Sequence, residues 1–414
     1  MRSPTQELHP YRNVLAIGID AVALSASARD ADYNTYAVDY FGDVDLKQTC
    51  KNMLSIVKQE VGKSYGRFEA GFSPRLLLNL VKRLLSTHQV DAALLASGLE
   101  DSPRVLAELH KLVPIVGNSP EIIKRVRNNQ EFFNGLDQLS ISHPITVLVG
   151  TYQEAKQAAK DIGYPVIAKP IVTFGGVGIR KINDGKELRS VFHQNAASPC
   201  SGVLIQDFIF GVNASVSFLS SSRSVTMLTL NEQLLGMKPL GQEEPFGYCG
   251  NIVPLSIDNG LIIECSNLVQ KIASYFNLLG INGVDLVISN DGEPYVIEVN
   301  PRFQGTLECV ERVLGLNLVD AHIKTCTRNI LPILKCRKPM SHCARMLLFA
   351  RFASIAPNLS NIKEARNIPL PGVFIEEGEP LCSIMIEGKT REAVLKKALK
   401  LSSHIYGMTR PTFQ

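Results

Sequence analysis

Residues 282–305 read NGVDLVISNDGEPYVIEVNPRFQG, which is two apolar stretches separated by an Asn-Asp-Gly-Glu turn. The pair Asp291-Gly292 favours a two-residue hairpin loop, because tight twisted turns need positive φ. In that register Asp285 lies directly opposite Glu298 on the neighbouring strand. Alternation of side chains then gives one wholly apolar face, made of Val284, Leu286, Ile288, Tyr295, Ile297 and Val299. The stretch therefore predicts a β-hairpin with one face in a core and two carboxylates on the other.

The paired carboxylates indicate a bound cation. Like charges directly opposite each other on two strands destabilise a sheet unless a cation relieves them. Mg²⁺ takes oxygen ligands and commonly bridges one or two carboxylates and substrate phosphates. We therefore predict a magnesium site at Asp285 and Glu298. The alternative is a surface hairpin with two solvated acids, and a different loop would shift the register by one residue.

The composition is that of a globular protein with more than one packed unit. A chain of 414 residues with 45% hydrophobic and 20% charged residues predicts two or three such units. The net charge of only +4 does not indicate a nucleic-acid partner. We see neither a membrane-length apolar run nor a signal-peptide pattern. Nine cysteines without a C-x-x-C pair are typical of reduced thiols, so we expect a cytoplasmic protein without membrane association, and the histidine spacing does not favour zinc.

The N-terminal part alternates strands with helices. The segments 13–20, 35–40, 91–97 and 114–117 have strand patterns, and 73–88 has a helix pattern between them. Such alternation predicts a parallel sheet covered on both faces. A dinucleotide fingerprint would need glycines where this chain has Gly18, Asp20 and Ala23. We therefore exclude a Rossmann cofactor site, although Asp39 stands at a plausible distance for a ribose contact.

The rest of the chain divides at a change of composition. Residues 117–136 open with a Ser-Pro helix start and continue amphipathically. From about residue 338 short strands predominate, with a predicted hairpin over 372–388 and a closing helix over 390–405. We place domain boundaries near 116 and near 338.

A lysine and a glycine-rich turn form a candidate phosphate site. Residues 164–182 read YPVIAKPIVTFGGVGIRKI, with Lys169 ending one strand before a second strand begins. Gly175, Gly176 and Gly178 let backbone N–H groups approach an anion, and Lys169 supplies a positive charge. No Gly-Lys-Ser/Thr opens a helix, so this is not a P-loop. The alternative is a plain glycine hairpin with an exposed lysine.

Two further segments complete the candidate site. Residues 203–218 join two apolar strands through a short linker that could offer edge N–H and C=O groups to adenine, with Phe208 and Ile209 nearby. Core strands joined by any linker would have the same pattern. The segment NPRFQG at 300–305 places Asn300, Arg302 and Gln304 beside the predicted metal. Arg302 could neutralise charge on a transferring phosphoryl group, or it could pair with Glu298 or Glu308.

These motifs, taken in order, resemble those of the ATP-grasp superfamily. They are Lys169, the glycine loop, the Gln206–Ile209 linker, Asp285, and Glu298-Val-Asn300-Pro-Arg302. The similarity is greatest to the branch of biotin carboxylase and the purine-pathway carboxylate–amine ligases, and it covers about residues 116–330. The resemblance implies an α/β (α+β) fold in three parts. These are an N-terminal parallel-sheet domain (1–116), a central ATP-grasp domain (117–338) and a small β-rich C-terminal cap (339–414).

The resemblance also implies roles for individual residues. Lys169 would contact the α- and β-phosphates, and Gly175 to Gly178 would form a mobile loop over the triphosphate. The adenine hinge and the ribose contact would come from Gln206, Asp207, Phe208, Ile209 and Asn213. The Mg²⁺ ligands would be Asp285, Glu298 and Asn300, and Arg302 would stabilise the phosphorylated intermediate.

One position departs from the family pattern. The family usually has another ATP-contacting lysine in the segment that reads VRNNQEFF here, where Asn129 or Gln130 stands, with Lys124 and Arg127 nearby. Either a neighbour substitutes for that lysine or the nucleotide affinity is lower.

The implied chemistry is ATP-driven activation of a carboxylate as an acyl phosphate, followed by attack of an amine or another nucleophile. ATP, Mg²⁺ and small-molecule substrates are implied, and a homodimer stays open. We recognise no biotinyl-lysine segment, so we expect a small-molecule ligase first and a bicarbonate-using carboxylase second. A non-catalytic nucleotide-binding module is the third interpretation. The segment 231–252 is a candidate for the substrate lining, and it carries no readable substrate code.

Overall fold

The computed structural model describes residues 10–171, 173–195, 202–334 and 341–412. The N-terminal part contains a parallel sheet in the order β3-β2-β1-β4 with helices packed on it, as predicted. Its elements are β1 (Asn13–Ile17), α1 (Val22–Asp30), β2 (Asn34–Asp39), α2 (Val44–Thr49), β3 (Asn52–Ser55), α3 (Phe68–Gly71), α4 (Pro74–Leu85), β4 (Ala92–Leu95) and α5 (Pro103–Leu112). The strand expected at 114–117 makes only a single bridge, Ala93 to Ile115, and β3 was not predicted. Because the strands are parallel, their carboxyl ends meet at one edge, and this edge faces the site described below.

The next part is a four-stranded antiparallel sheet in the order β5-β8-β6-β7. Its elements, with the helices before and around it, are α6 (Pro120–Arg127), α7 (Asn129–Gln138), β5 (Thr146–Val149), α8 (Tyr152–Ile162), β6 (Val166–Pro170), β7 (Arg180–Ile182), α9 (Gly185–Asn195) and β8 (Val203–Asp207). The amphipathic stretch expected to continue from residue 117 to 136 divides into two helices. Asn128 interrupts it with extended backbone and caps α7 by accepting a hydrogen bond from the Glu131 N–H at 3.0 Å.

The largest sheet has eight antiparallel strands in the order β13-β12-β9-β10-β11-β14-β18-β16. Its first strands and helices are β9 (Gly211–Ser220), β10 (Val225–Leu235), β11 (Tyr248–Val253), α10 (Asn259–Phe276), β12 (Gly280–Ser289), β13 (Pro294–Asn300), α11 (Leu307–Leu314) and α12 (Leu318–Arg328), and a short 3₁₀ turn spans Lys238–Leu240. Its β12–β9 and β12–β13 pairs bury an apolar face against α10 that includes Val216, Leu286 and Val299.

The C-terminal strands continue this sheet. The remaining elements are β14 (His342–Phe349), β15 (Ser354–Ile355), β16 (Ala365–Arg366), β17 (Phe374–Ile375), β18 (Pro380–Gly388), α13 (Arg391–Met408) and β19 (Arg410–Pro411). Strand β14 pairs with β11, so the sheet runs from the central part into the C-terminal part. Residue 338, the predicted boundary, lies outside the described residues, and both predicted boundaries stay predictions.

The predicted hairpin over 372–388 is wrong, whereas the closing helix α13 is confirmed. Strand β17 belongs to a three-stranded sheet in the order β17-β15-β19, and β18 belongs to the eight-stranded sheet. The glycine-bearing stretch between them therefore changes sheets instead of reversing within one.

The hairpin of β12 and β13 has the predicted pairing of Asp285 with Glu298, but by a different route. The Ser289 N–H donates to the Glu293 carbonyl at 2.8 Å, so the turn has three residues, 290–292, and not two. A bulge between Asp285 and Leu286 then restores the predicted register. In consequence Tyr295 and Ile297 do not belong to the core face, and Val296 takes that place.

Two further findings concern the helices and the cysteines of the described residues. Among the described residues, no helix has the length and apolarity that a bilayer crossing requires. The cysteines of the described ranges are free thiols, at positions 50, 249, 265, 309, 326, 343 and 382.

Candidate active site

A cavity of about 1410 Å³ lies between the carboxyl edge of the parallel sheet, the four-stranded sheet and the eight-stranded sheet. Every site residue predicted from the sequence lines it except Gly178: Lys169, Gly175, Gly176, Gln206, Asp207, Phe208, Ile209, Asn213, Asp285, Glu298, Asn300 and Arg302. A side chain at Gly178 would face the Pro170 ring at 3.3 Å instead. The volume exceeds the roughly 300–1,000 Å³ of ordinary ligand pockets, so it has room for more than one substrate.

The two carboxylates have different partners. Asp285 accepts hydrogen bonds from the side-chain amides of Gln233 at 2.8 Å and Asn300 at 3.0 Å. Glu298 accepts a hydrogen bond from Lys169 Nζ at 2.9 Å, and Arg127 Nη1 lies 3.8 Å from the same carboxylate oxygen. One carboxylate is therefore held by neutral donors and the other by cations.

These surroundings move the two pKa values apart. Burial, followed by the charge of Glu298, raises the pKa of the Asp285 carboxyl above its ordinary value. Burial also acts to raise the pKa of Glu298, but the charges of Lys169, Arg127 and Arg302 outweigh it and hold that pKa below its ordinary value. Asp285 is thus the carboxyl group of the pair that is harder to ionise, and a bound cation beside it would favour its ionised form.

The donor set fits magnesium. Asp285 and Glu298 offer carboxylate oxygens from adjacent strands. Asn300, two residues after Glu298 on β13, offers an amide oxygen. That Asn300 Oδ1 accepts from Arg302 Nη2 at 3.0 Å, so metal binding would require it to share or exchange this partner. Among the described residues no group of three or more His, Cys, Asp and Glu could hold a metal. A magnesium ion here would therefore need substrate phosphates as further ligands, which is its usual habit.

The glycine loop is packed against the start of β11. The Tyr248 N–H donates to the Gly175 carbonyl at 2.8 Å. Gly176 has a φ of +78°, and a Cβ there would overlap the Phe246 carbonyl oxygen, so only glycine fits. At the entrance of the loop the Phe174 ring meets Phe68 and Phe72 edge-on, with centroid distances of 5.9 and 5.3 Å.

The linker Gln206–Ile209 passes from the four-stranded sheet to the eight-stranded sheet. Gln206 is buried, and its amide donates to Thr146 Oγ1 at 2.9 Å, which fixes the end of β8. Lys181 Nζ lies 4.1 Å from the centroid of the Phe208 ring, a cation–π contact that holds this ring beside the cavity. The expected adenine hinge therefore has a defined shape, and its contact with adenine stays a prediction.

Arg302 is held by a residue that the sequence did not indicate. Its Nε donates to Glu100 Oε1 at 2.7 Å, and Glu100 in turn accepts from the backbone N–H groups of Gly98 and Leu99 at 2.6 and 2.9 Å. Burial acts to raise the pKa of Glu100, but Arg302 and Arg127 outweigh it and hold the pKa below its ordinary value. The alternative pairing of Arg302 with Glu298 or Glu308 is wrong, because Glu308 pairs with Arg366 at 3.1 Å.

The segment that lacks the family lysine carries an arginine aimed at the site. Arg127 makes two hydrogen bonds with Asp101, at 2.7 and 3.0 Å, in addition to its approach to Glu298. Lys124, Arg127 and Asn129 line the cavity, whereas Gln130 is not among the lining residues. Arg127 is thus the cation of this segment nearest to the carboxylates.

The sequence also missed a row of polar residues on the cavity side of the eight-stranded sheet. Cross-strand pairing aligns Gln233 with Asn251 and Asn251 with Arg345. Arg345 Nη2 donates to Asp20 Oδ2 at 2.7 Å, which joins the sheet to the carboxyl edge of β1. A charged residue inside the apolar run CARMLLF was the available signal for Arg345.

Comparison with known proteins agrees with this geometry. Residues 126–306 match the family described as the ATP-grasp domain. An uncharacterized protein of Methanocaldococcus jannaschii is 24% identical over 92% of this chain and 89% of its own length. Several carbamoyl phosphate synthase large chains also match, but the chain spans only 24%, 19% and 22% of their lengths.

Solved structures share the fold at low identity. The biotin carboxylase domain dimer of the Hydrogenobacter thermophilus 2-oxoglutarate carboxylase, in complex with MgADP, ADP and bicarbonate, has a TM-score of 0.72 at 14% identity and covers 94% of this chain and 88% of its own. The L-amino acid ligase from Bacillus licheniformis has a TM-score of 0.69 at 15% identity, with 97% and 99% covered. The predicted α/β fold, with an N-terminal parallel sheet, an ATP-grasp domain and small C-terminal antiparallel sheets, is confirmed. Residues 126–306 therefore form an ATP-grasp domain, and the chain as a whole shares the fold of these solved structures.

Proposed function

We propose that the protein is an ATP-dependent ligase that activates a small-molecule carboxylate as an acyl phosphate for attack by an amine or another nucleophile. The observation that carries the proposal is a row of neighbouring polar side chains in one cavity, joined by hydrogen bonds and by cross-strand pairing. Lys169 contacts Glu298, Glu298 lies opposite Asp285, and Asp285 contacts Asn300, which contacts Arg302. Such a set brings phosphate-binding, metal-binding and charge-neutralising groups within reach of one transferring group.

In the proposed reaction an oxygen of the substrate carboxylate attacks the γ-phosphorus of ATP, and ADP leaves. The amine nitrogen, in its neutral form, then attacks the acyl carbon; phosphate leaves as the new bond forms, and the nitrogen gives up a proton to water or to the departing phosphate. Asp285, Glu298 and Asn300 would hold magnesium, which when bound neutralises phosphate charge. Lys169 contributes a fixed positive charge on the phosphate side.

Arg302 is suited to the charge that develops on the transferring group. Its guanidinium is oriented by Glu100, by the Phe303 carbonyl at 3.0 Å and by Asn300, so it needs little rearrangement during the reaction. Preorganised donors of this kind stabilise a transition state more than a ground state. No protein nucleophile is required, because the chemistry consists of positioning and charge neutralisation.

Two structural neighbours support the proposal, one for the use of MgATP with a carboxylate and the other for ligation. One of them is a biotin carboxylase domain crystallised with MgADP and bicarbonate, and the other is an amino acid ligase. Carboxylation with bicarbonate is accordingly the second candidate, because bicarbonate is itself a carboxylate that can be phosphorylated. The homodimer stays a prediction, and sedimentation equilibrium of the purified chain would test it.

Transfer of labelled oxygen tests the proposed reaction directly. Purified protein is incubated with MgATP, pools of ¹⁸O-labelled carboxylates or bicarbonate, and pools of amines, and both ADP and the isotope in released phosphate are measured. Ligase chemistry predicts ADP release that needs a carboxylate and ¹⁸O in the phosphate, both absent from Glu298→Gln. Label transfer from bicarbonate alone would indicate carboxylation. MgATP binding without substrate-dependent ADP release in any pool would contradict the enzyme and favour the binding module.

A further inference from the structure

The cavity extends beyond the predicted nucleotide site to the carboxyl edge of the parallel sheet. Here β1 and β2 end near four aspartates, Asp20, Asp39, Asp43 and Asp45. Asp20 and Asp43 line the cavity together with Gln59, Arg345 and Asn367. We name these five lining residues the acidic chamber. Asp39 and Asp45 lie behind it: burial and then the charge of Asp45 raise the pKa of Asp43, and burial and then the charges of Asp43 and Asp20 raise the pKa of Asp39.

The aspartates differ in how well their oxygens are satisfied. Asp20 accepts from Arg345 at 2.7 Å, from the Asn367 amide at 2.9 Å and from the Val22 N–H at 3.0 Å. Among the described residues, the Asp43 carboxylate accepts two long hydrogen bonds, from Gln59 at 3.3 Å and from Asn367 at 3.4 Å, although Asp43 is only 5% exposed. A buried carboxylate normally makes shorter and more numerous bonds, so Asp43 is underpartnered.

The charges around Asp43 have the same sign as Asp43 itself. Burial, followed by the charges of Asp45 and Asp20, raises the pKa of Asp43 to about 8. Arg345 is the cation of the chamber, and it is already paired with Asp20. The chamber therefore carries an excess of acidic groups, and a positive ligand group would relieve it.

Two further polar atoms at this end of the cavity have no partner. Asn251 is 2% exposed and lines the cavity, and its Oδ1 has no hydrogen-bond partner among the described residues. Arg345 is 6% exposed, and its Nε is likewise unpartnered. Orphaned polar atoms on buried side chains cost stability unless a ligand satisfies them. They indicate that a polar ligand group, and not apolar packing, belongs in this part of the cavity.

The chamber is continuous with the proposed reaction centre. Arg345 Nη1 lies 3.5 Å from the Gly305 carbonyl, three residues after Arg302. A Cβ at Gly305 would lie 2.9 Å from Tyr248 Oη and 3.4 Å from Arg345, so the backbone there passes tightly between the two regions. Arg302 and Asp43 nevertheless line the same cavity, so a single substrate or two adjoining ones could occupy both regions.

We propose that the acidic chamber binds the ammonium group of a substrate, with Asp43 as its direct acceptor. The inference rests on the proposed function, because it assumes that the adjoining end of the cavity holds the carboxylate to be activated. It names the substrate class: an aminocarboxylate, whose protonated amino group lies in the chamber while its carboxylate is activated.

Calorimetry with three matched series tests the proposal on the full chain without nucleotide. The probes are ω-aminocarboxylates from glycine to 6-aminohexanoate, alkyl carboxylates of the same lengths, and alkylamines of the same lengths. At least one amino-bearing probe should bind about tenfold or more tightly than the alkyl carboxylate of equal length. Asp43→Asn should remove this preference, whereas the control Glu69→Gln, an exposed acid that lines the same cavity, should keep it.

The melting temperature gives a second readout. Because Asp43 is buried and poorly satisfied, Asp43→Asn should raise the melting temperature while amine binding is lost, as expected for a ligand-binding acid rather than a structural one. If the amino group adds no affinity in any series, or if Asp43→Asn keeps the preference, the inference is wrong. If Asp43→Asn does not fold, the three probe series on the wild-type protein still test whether the amino group adds affinity. A preference for amino-bearing probes without any carboxylate-dependent ADP release would contradict the proposed ligase function. It would not contradict ammonium binding in the acidic chamber.

Discussion

Lys169 Nζ lies 2.9 Å from Glu298 Oε2, so the lysine proposed to bind phosphate is paired with a carboxylate proposed to bind magnesium. The exposed side-chain fractions of 15% and 29% place this pair at the wall of the cavity, where its charges are only partly screened. MgATP brings one partner for each of them, because phosphate oxygens suit Lys169 and the metal suits Glu298. Binding of MgATP would thus replace the Lys169–Glu298 ion pair with a Lys169–phosphate pair and a Glu298–magnesium pair. Neither residue would be left with an unpaired charge.

The first prediction concerns this exchange. Lys169→Met should weaken MgATP binding by about tenfold or more, because a charge-assisted contact to phosphate is lost. It should also lower the free energy of unfolding by about 1–2 kcal/mol, because Glu298 loses its hydrogen-bonding cation and keeps only the more distant charges of Arg127 and Arg302. Calorimetry and thermal melts measure both effects, with the exposed Lys160→Met on α8 as the control. Unchanged affinity together with the lower stability would make Lys169 a structural residue.

The second prediction separates catalysis from binding at Arg302. Arg302→Met should keep MgATP affinity within a few-fold but reduce turnover by about 10²–10³, if the guanidinium acts mainly in the transition state. Glu100→Gln should give a smaller loss of turnover, because it leaves Arg302 in place with a weaker orienting partner. The measurements are the dissociation constant of MgATP and the rate of ADP release with the substrate pool. Equal losses of stability with unimpaired turnover in both variants would show a purely structural pair.

The hairpin of β12 and β13 shows what a local pattern can and cannot determine. The Asp291-Gly292 pair correctly located the reversal, because positive φ at Gly292 is a local requirement. It did not determine the loop length, and the bulge beyond Asp285 depends on packing of Val296 against α10. The predicted loop was one residue too short and the predicted strands had no bulge, and these two errors cancelled. The predicted pairing of Asp285 with Glu298 was therefore right, but the prediction that Tyr295 and Ile297 lie on the core face was wrong.

Partners distant in sequence were beyond such reasoning. Arg302 and Glu100 are separated by 202 positions, and Arg345 and Asp20 by 325. Neither pair has a local signature, because each forms only when the parallel sheet packs beside the eight-stranded sheet. The residues on single strands and turns could be predicted, whereas the residues that orient them from another sheet could not.

The third prediction follows from the raised pKa of Asp285. A carboxyl group binds magnesium in its ionised form, and an acid with a raised pKa loses its proton only at a higher pH than usual. MgATP affinity should therefore increase as the pH rises through the raised pKa of Asp285 and then level off. Titrations across this range with Mg²⁺, and with a chelator to account for protonation of ATP itself, measure the effect. Asp285→Asn should abolish the metal-dependent part of the profile, and a flat wild-type profile would contradict the assignment of Asp285 as a ligand.

The last prediction concerns the glycine loop, which would act as a lid over the nucleotide. Phe174 at its entrance packs edge-on against Phe68 and Phe72 of the N-terminal part, and aromatic contacts of this kind contribute about 0.5–1.5 kcal/mol each. Phe174→Ala should therefore weaken the closed loop and reduce affinity for a nonhydrolysable MgATP analogue by about tenfold. Hydrogen exchange should show nucleotide-dependent protection of residues 173–178 in the wild type and less of it in the variant. The control Phe192→Ala removes an aromatic contact to Tyr152 outside the loop and should leave that protection unchanged. If nucleotide protects residues 173–178 equally in the wild type and in Phe174→Ala, Phe174 does not hold the loop closed.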